Sequence, residues 1–365
     1  MPQLKLVVVG ASAGGLEALL QIIERLPNSL SVPILIVVHT RAEGDSLLPQ
    51  VLGRVSRFPV CFATDRAEIK PGHIYVAPPD FHMLVTPLGI RLTRGPRENG
   101  FRPAIDPLFR SAARVYRSGV MGVILSGALD DGAYGLKVLK DSGGIAVVQD
   151  PDDAPFPSMP ANAIRAVNVD YVLPASQMSS LIASLSEISI KGEPRMAPQQ
   201  EPEPQDVSDE TEVEDMQEKF GPPSGLTCPE CGGALWEIND GALARYRCHV
   251  GHQYSIDGLD AEQHAEVEGA LWSAVRMLEE HADLRHRMAR RAEAGGLPSV
   301  GEAFTKSARD SHRQAHTIRE LLFGRAEPSP IPLAEIESAR VATRSTSSTD
   351  VSGNGPSTSL RASPQ

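Results

Sequence analysis

Three residue types that together perform acyl transfer stand at comparable places in this chain. Gly10-Ala11-Ser12-Ala13-Gly14-Gly15 is a G-x-S-x-G pattern that follows one apolar run and opens a helical one. Small residues on both sides of Ser12 allow a sharp turn that lifts its hydroxyl to the carboxyl end of a sheet. The helix start behind it offers unpaired N–H groups and a positive dipole end for a developing oxyanion. A free hydroxyl is a poor nucleophile and needs a base. A second apolar run ends Val37-Val38-His39-Thr40 and delivers an imidazole. The base needs a carboxylate to hold its tautomer, and a third run, Val123-Ile124-Leu125, leads to Asp130-Asp131-Gly132. Either aspartate can serve, the other capping the helix that follows.

The same strand, tight turn and helix also begin dinucleotide-binding folds, and a purely structural turn can contain a serine. Here Ser12 holds the place of the second glycine in G-x-G-x-x-G. His39 stands where an acidic residue would hold a ribose, and no Gly-Lys-Ser/Thr P-loop is present. Three matched residue types at three strand ends favour hydrolysis over nucleotide binding.

A second constellation lies in the C-terminal half. Cys228-Pro229-Glu230-Cys231 is a knuckle, and sixteen residues separate it from Cys248-His249-Val250-Gly251-His252. Zinc takes four sulfur or nitrogen ligands in a tetrahedron, and paired short spacings supply them. The expected site is a structural zinc ribbon with Cys228, Cys231, Cys248 and His252 as ligands and His249 as the alternative fourth. A closed site leaves the metal no catalytic position. Cys61, alone in the apolar stretch Pro59-Val60-Cys61-Phe62, reads as buried packing.

The elements that must position these residues follow from hydrophobic pattern. Continuous apolar runs at 6–9, 33–38, 120–125 and 145–148 alternate with helical patterns at 16–26, 46–57, 105–116 and 132–142. Shorter strands are expected at 73–77, 83–85 and 171–173, and short helices at 159–165 and 176–186. Strands apolar on both faces and separated by helices make an α/β, doubly wound, mostly parallel sheet over residues 1–190.

Residues 191–223 carry ten acidic side chains against three basic ones, a local charge of −7 within a total of −11. Such a segment cannot bury enough apolar area to offset its ordering entropy, so a disordered linker is expected. The ribbon occupies 224–256 and an α-helical hairpin 257–325. Its apolar stripe includes Phe304, Ala308, Ala315, Ile318 and Leu321. A Ser/Thr/Pro-rich tail fills 326–365. With the acidic charge concentrated in the linker and no basic face elsewhere, nothing calls for a nucleic acid. No apolar run spans a bilayer and the start lacks a signal peptide, which places the expected protein in the cytoplasm.

Several motifs, in order along residues 4–187, resemble the catalytic domain of the chemotaxis protein-glutamate methylesterase (CheB) family. They are Gly10–Gly15, Val38-His39, Arg102-Pro103-Ala104-Ile105-Asp106 with Leu108-Phe109-Arg110, Ser126–Gly132, and the run from Gln149 to Pro160. The resemblance implies a nucleophile at Ser12, a base at His39 and an acid at Asp131, whose family counterpart immediately precedes Gly-Ala. It implies hydrolysis of glutamate methyl esters on a chemoreceptor-like protein, and deamidation of glutamines in many members. The alternative is a CheB-like binding or scaffold module with little esterase activity. This sequence departs from the family at Ala13 and Ala128, and no receiver domain precedes Met1, so activity without phosphorylation is expected. With only the acidic linker joining ribbon and catalytic domain, metal removal is expected to leave the esterase untouched.

Overall fold

The computed structural model describes residues 4–40, 46–188, 220–240 and 243–323. Most of the acidic linker and the whole C-terminal tail lie outside the described residues.

The first strands show why the sheet is covered on both faces. β1 (Leu6–Ala11) is buried along its whole length and pairs in parallel with β2 (Ile34–Val38). Side chains alternate across a strand. Leu6 and Val8 accordingly join one core with Ile105, Leu108, Phe109, Leu136 and Met159. Val7 and Val9 join the other with Ala18, Leu19, Ile22, Leu52, Met178 and Ile182. The first core packs under α3 (Ile105–Tyr116), α4 (Ala133–Asp141) and α5 (Ser158–Ala166). The second packs under α1 (Gly15–Glu24), α2 (Leu48–Gly53) and α6 (Ala175–Ile188).

The remaining strands are β3 (Val60–Phe62), β4 (Ile74–Val76), β7 (Val120–Ile124), β8 (Ile145–Gln149) and β9 (Tyr171–Leu173). The seven-stranded order is β3-β4-β2-β1-β7-β8-β9, and every pairing is parallel. The chain leaves β1 toward β2 on one side and returns to β7 on the other. The carboxyl ends of these three strands therefore bracket the point where strand order reverses, the place at which open α/β sheets bind ligands.

Two expectations about the strands need correction. Cys61 is exposed, because β3 is an edge strand whose Val60 and Phe62 pack on the second core while Cys61 points to the uncovered face. The short strand expected near 83–85 is half of an antiparallel hairpin, β5 (His82–Thr86) with β6 (Gly89–Thr93). β6, with Arg91 between its two apolar residues and Thr93 at its end, gave a weaker pattern.

The described residues up to Val267 form one compact unit, which includes the Cys-containing module. In it β10 (Leu235–Asp240), β11 (Leu243–Cys248) and β12 (Gln253–Ser255) form an antiparallel sheet. α7 (Ile256–Ala294) follows, and Gly296, at φ 75°, separates it from α8 (Pro298–Phe323). The second unit, beginning at Glu268, is an antiparallel hairpin. Its seam is small, with Ala282, Ala289, Ala308 and Ala315 buried. Arg319 pairs with Glu279 at 2.6 Å, and His281 Nδ1 lies 3.0 Å from Ser311 Oγ. Leu321, expected in the stripe, is exposed. No described helix is long and apolar enough to cross a membrane.

Candidate active site

Ser12, His39 and Asp131 meet at the carboxyl ends of β1, β2 and β7. Ser12 Oγ lies 3.1 Å from His39 Nδ1, and His39 Nε2 lies 2.7 Å from Asp131 Oδ2. A carboxylate accepting from Nε2–H leaves the lone pair on Nδ1, facing the serine hydroxyl. The turn carrying Ser12 is tied down by Ser12 N–H donating to Ser126 O at 3.0 Å and Ser126 Oγ donating to Ala13 O at 2.8 Å. Gly14 takes φ 69°, and a Cβ there would meet Pro155 and Ser126 at 2.9 Å. At Gly127 a Cβ would stand 2.8 Å from the Ser12 Cβ. The strand-end motifs at 10–15, 126–132 and 149–160 are thus parts of one packed corner.

Asp131 is buried and fully engaged. Besides His39, it accepts from the N–H groups of Ile105 at 2.6 Å and Asp106 at 3.4 Å, the first residues of α3. It also accepts from Asn99 Nδ2 at 3.1 Å. Burial alone would raise its carboxyl. The His39 hydrogen bond and charge, with the Ile105 and Asn99 donors, outweigh burial and hold it below the usual carboxylate range. Asp106, buried beside it and hydrogen-bonded to Gly135 N–H, is pushed upward by burial and by the Asp131 charge. Asp130 points elsewhere: its Oδ1 accepts from Ser255 Oγ at 2.6 Å. Of the two aspartates weighed from the sequence, Asp131 alone reaches the imidazole.

A short turn at 98–101 supplies two contacts that the residue-by-residue reading missed. Phe101 stacks on the His39 ring, with centroids 3.7 Å apart and planes 6° from parallel. Asn99, two residues before it, holds Asp131. Glu98 N–H donates to Phe101 O and Phe101 N–H to Glu98 O, closing the turn. Buried Glu98 forms a two-pronged pair with Arg110 of α3 at 2.7 and 2.8 Å. Burial would raise the Glu98 carboxyl, but the Arg110 charge and hydrogen bonds hold it low. Arg102 fixes the far end through Asp80 and the carbonyls of Arg94 and Gly95. Such loop contacts have no periodic signature. The only cue was proximity to the Arg102–Asp106 motif.

The four residues expected as metal ligands also converge. The ligand atoms of Cys228, Cys231, Cys248 and His252 all lie within 4.8 Å of one another. Cys231 Sγ to Cys248 Sγ is 3.6 Å, and His252 Nδ1 lies 3.6 Å from Cys228 Sγ and 3.4 Å from Cys248 Sγ. A tetrahedron with Zn–S of about 2.3 Å and Zn–N of about 2.0–2.1 Å has edges of roughly 3.5–3.8 Å, so the donor set fits that ion. Glu230 Oε2 stands 3.2 Å from the outer nitrogen of His252, the arrangement that orients a ligating histidine. His249, the alternative, is outside the cluster.

The module does not hang free on a linker, contrary to the sequence expectation. It packs on the catalytic domain beside Asp131. Asn99 N–H donates to Gln253 O at 2.8 Å, and Ser255 N–H donates to Asn99 Oδ1 at 2.8 Å. The Arg245 guanidinium lies 3.5 Å over the Tyr134 ring. A cavity of about 270 Å³ remains between the two surfaces, lined by Asp130, Tyr134, Asn162, Arg245 and Asp257 among others. It touches neither Ser12 nor His39 and is a gap in the docking surface rather than an ester pocket. Linker composition revealed none of this, because the pairing arises between segments more than 100 residues apart.

An open parallel sheet carrying serine, histidine and aspartate at the ends of three neighbouring strands has the layout of a serine hydrolase. The chain belongs to the CheB methylesterase family, whose model matches residues 7–182. A Leptospira interrogans protein, provisionally named protein-glutamate methylesterase/protein-glutamine glutaminase, is 41% identical over 186 residues, which are 51% of this chain and 96% of that one. A Syntrophus aciditrophicus protein-glutamate methylesterase/protein-glutamine glutaminase is 41% identical over 183 residues, covering 50% of this chain and 52% of that one. The catalytic domain of the Thermotoga maritima CheB methylesterase is 34% identical, with a TM-score of 0.49 over 50% of this chain and 100% of that one.

Proposed function

We propose that the protein is a protein-glutamate methylesterase acting through a Ser12-His39-Asp131 acyl-enzyme route. The observation that supports this most is the unbroken hydrogen-bond chain from Ser12 Oγ through His39 to a buried carboxylate. Ser12 Oγ attacks the ester carbonyl carbon while His39 Nδ1 takes its proton. The tetrahedral oxyanion forms at the N-terminal end of α1, where backbone N–H groups and the helix dipole favour negative charge. His39 returns the proton to the methoxy oxygen, the C–O bond breaks, and methanol leaves an acyl-Ser12. Water, losing a proton to His39, attacks the acyl carbon. The bond to Ser12 Oγ breaks as His39 returns the proton to it, and the freed glutamate gives its remaining acidic proton to solvent and departs as a carboxylate. Throughout, Asp131 stays ionised, holds the tautomer and stabilises the imidazolium.

The substrate class is a methylated glutamate of a protein, which the names of the relatives support, and the resemblance to the CheB family makes that protein chemoreceptor-like. Their second activity is chemically compatible, since a glutamine amide would follow the same steps with ammonia leaving. Cys228, Cys231, Cys248 and His252 hold zinc as a structural ion. It would supply folding free energy to a segment too small to support itself.

The test is active-site trapping. A serine-reactive phosphonate is expected to add one label, on the peptide containing Ser12, and to stop release of methanol from a methyl-esterified receptor peptide. Stoichiometric labelling elsewhere, or undiminished methanol release after labelling, would sink the proposal and favour the scaffold reading.

A further inference from the structure

Asn99 has an unusual set of partners. It is buried, and its backbone lies in the left-handed region at φ 52°, which asparagine tolerates better than most residues. Each of its polar groups named here has a fixed partner. The side-chain Nδ2 donates to Asp131 Oδ1 at 3.1 Å. The side-chain Oδ1 accepts from Ser255 N–H at 2.8 Å, and the backbone N–H donates to Gln253 O at 2.8 Å. Gln253 follows His252, a member of the Cys3His cluster, directly in sequence. Gln253 N–H in turn donates to Arg97 O at 3.3 Å, so residues 97–99 run alongside β12 as an added strand segment.

The same turn carries Phe101 onto the His39 ring. One four-residue turn thus touches both His39 and Asp131, and its outer edge is hydrogen-bonded to the strand that leaves the metal cluster. On its inner side Glu98 is anchored through Arg110 to α3. That anchor holds one end of the turn but does not set the Asn99 amide, whose Oδ1 partner comes from the module alone. An amide that accepts from a fixed N–H at one end presents its NH2 at the other in one orientation.

We propose that Asn99 is a positioning residue through which the Cys3His module, when it holds metal, orients Asp131 and thereby His39. This rests on the esterase reading above. Loss of metal loosens β12, frees the Asn99 amide and the Phe101 stack, and lowers turnover without changing how substrate binds. The module is then part of the catalytic scaffold and not an independent appendage.

The test uses the full chain loaded with zinc, the same protein after chelation, and the Asn99→Gly variant, which keeps the left-handed backbone and the main-chain bond to Gln253. Three readouts are taken: kcat and KM on a methyl-esterified peptide, amide hydrogen exchange at 97–101 and 253–255, and phosphonate labelling of Ser12. Loss of one hydrogen bond to a buried charge is expected to lower kcat about tenfold, with KM changed less than about twofold. Chelation of the wild type is expected to cause a similar kcat loss, reversed by Zn²⁺, and faster exchange at 97–101 as well as 253–255. Chelation of Asn99→Gly is expected to add less than about twofold, because perturbations acting through one link do not multiply. The Asn99→Asp variant keeps the acceptor for Ser255 but sets a carboxylate against Asp131. It should retain protection at 253–255 and lose more kcat than Asn99→Gly, whereas a merely structural Asn99 would tolerate the closer isostere better. Chelation that exposes 253–255 yet leaves exchange at 97–101 and kcat unchanged overturns the proposal, as do two losses that multiply. Failure of Ser12 to label in the zinc-loaded wild type instead overturns the esterase reading, and the exchange measurement still decides whether metal orders the turn.

Discussion

The catalytic domain and the Cys3His module solve the same stability problem with different means. The domain has two aliphatic cores, one on each face of a seven-stranded sheet, and its helices derive their order from that burial. The module has a core of Cys228, Leu235, Cys248, Tyr254 and Leu259, two of which are also candidate metal ligands. A segment of this size cannot bury enough apolar area to offset its backbone entropy. The contrast teaches where each region is vulnerable. Substitutions in the domain are expected to act through packing or through chemistry and those in the module through its candidate metal ligands, and the 97–101 turn contacts both regions.

The largest expected effect tests the domain's side of this contrast. Ser12→Ala or His39→Ala should lower ester turnover by about 10³-fold or more, with the thermal transition unchanged. A drop in folding stability of similar severity would show that these residues hold the corner together rather than react.

Next is the aspartate pair. Asp131→Asn should cost at least about 10²-fold in kcat, since an amide no longer fixes the imidazole tautomer. Asp130→Asn should cost far less, because its partner is Ser255 and not His39. Steady-state kinetics on both variants would reverse the assignment if Asp130→Asn proved the more damaging.

For the module, metal analysis of single variants sharpens the comparison. Cys228→Ser, Cys231→Ser and His252→Ala should each lose the equivalent of one zinc per chain and raise hydrogen exchange across 224–256. His249→Ala should keep the metal, since its ring lies outside the cluster. A metal-free His249→Ala protein would break the ligand assignment.

The smallest effect is a pH dependence at the seam between the regions. Burial, then the nearby charges of Asp257 and Asp131, push the Asp130 carboxyl up to about 6 from an ordinary 3.8, against the opposing Ser255 hydrogen bond. The folded protein then holds this proton where the unfolded chain has lost it. The contribution to stability is complete below pH 3.8 and is lost as pH rises through about 6. Asp130→Asn keeps an acceptor for Ser255 without the charge. Urea midpoints at pH 4.5 and 7.5 should show the variant gaining about 1–3 kcal/mol on the wild type at the higher pH. Equal differences at both pH values would mean that Asp130 is solvated.

Much of this molecule was legible from residue order alone, and the reason is periodicity and spacing. Strands buried on both faces must be continuously apolar, so β1, β2, β7 and β8 stood out, and with them the strand ends that carry Ser12, His39 and Asp131. Ligand pairs separated by two and three residues can reach one ion from a single knuckle, so Cys228, Cys231, Cys248 and His252 were identifiable without coordinates. Tertiary structure decided the rest. Whether Cys61 is buried depends on which strand lies at the sheet edge, a property of strand order and not of the strand's own residues. The roles of Asn99 and Phe101 depend on irregular backbone, where side-chain direction follows no repeat. The docking of β12 against residues 97–99 is a pairing between segments far apart in the chain, and local composition carries no record of such a partner.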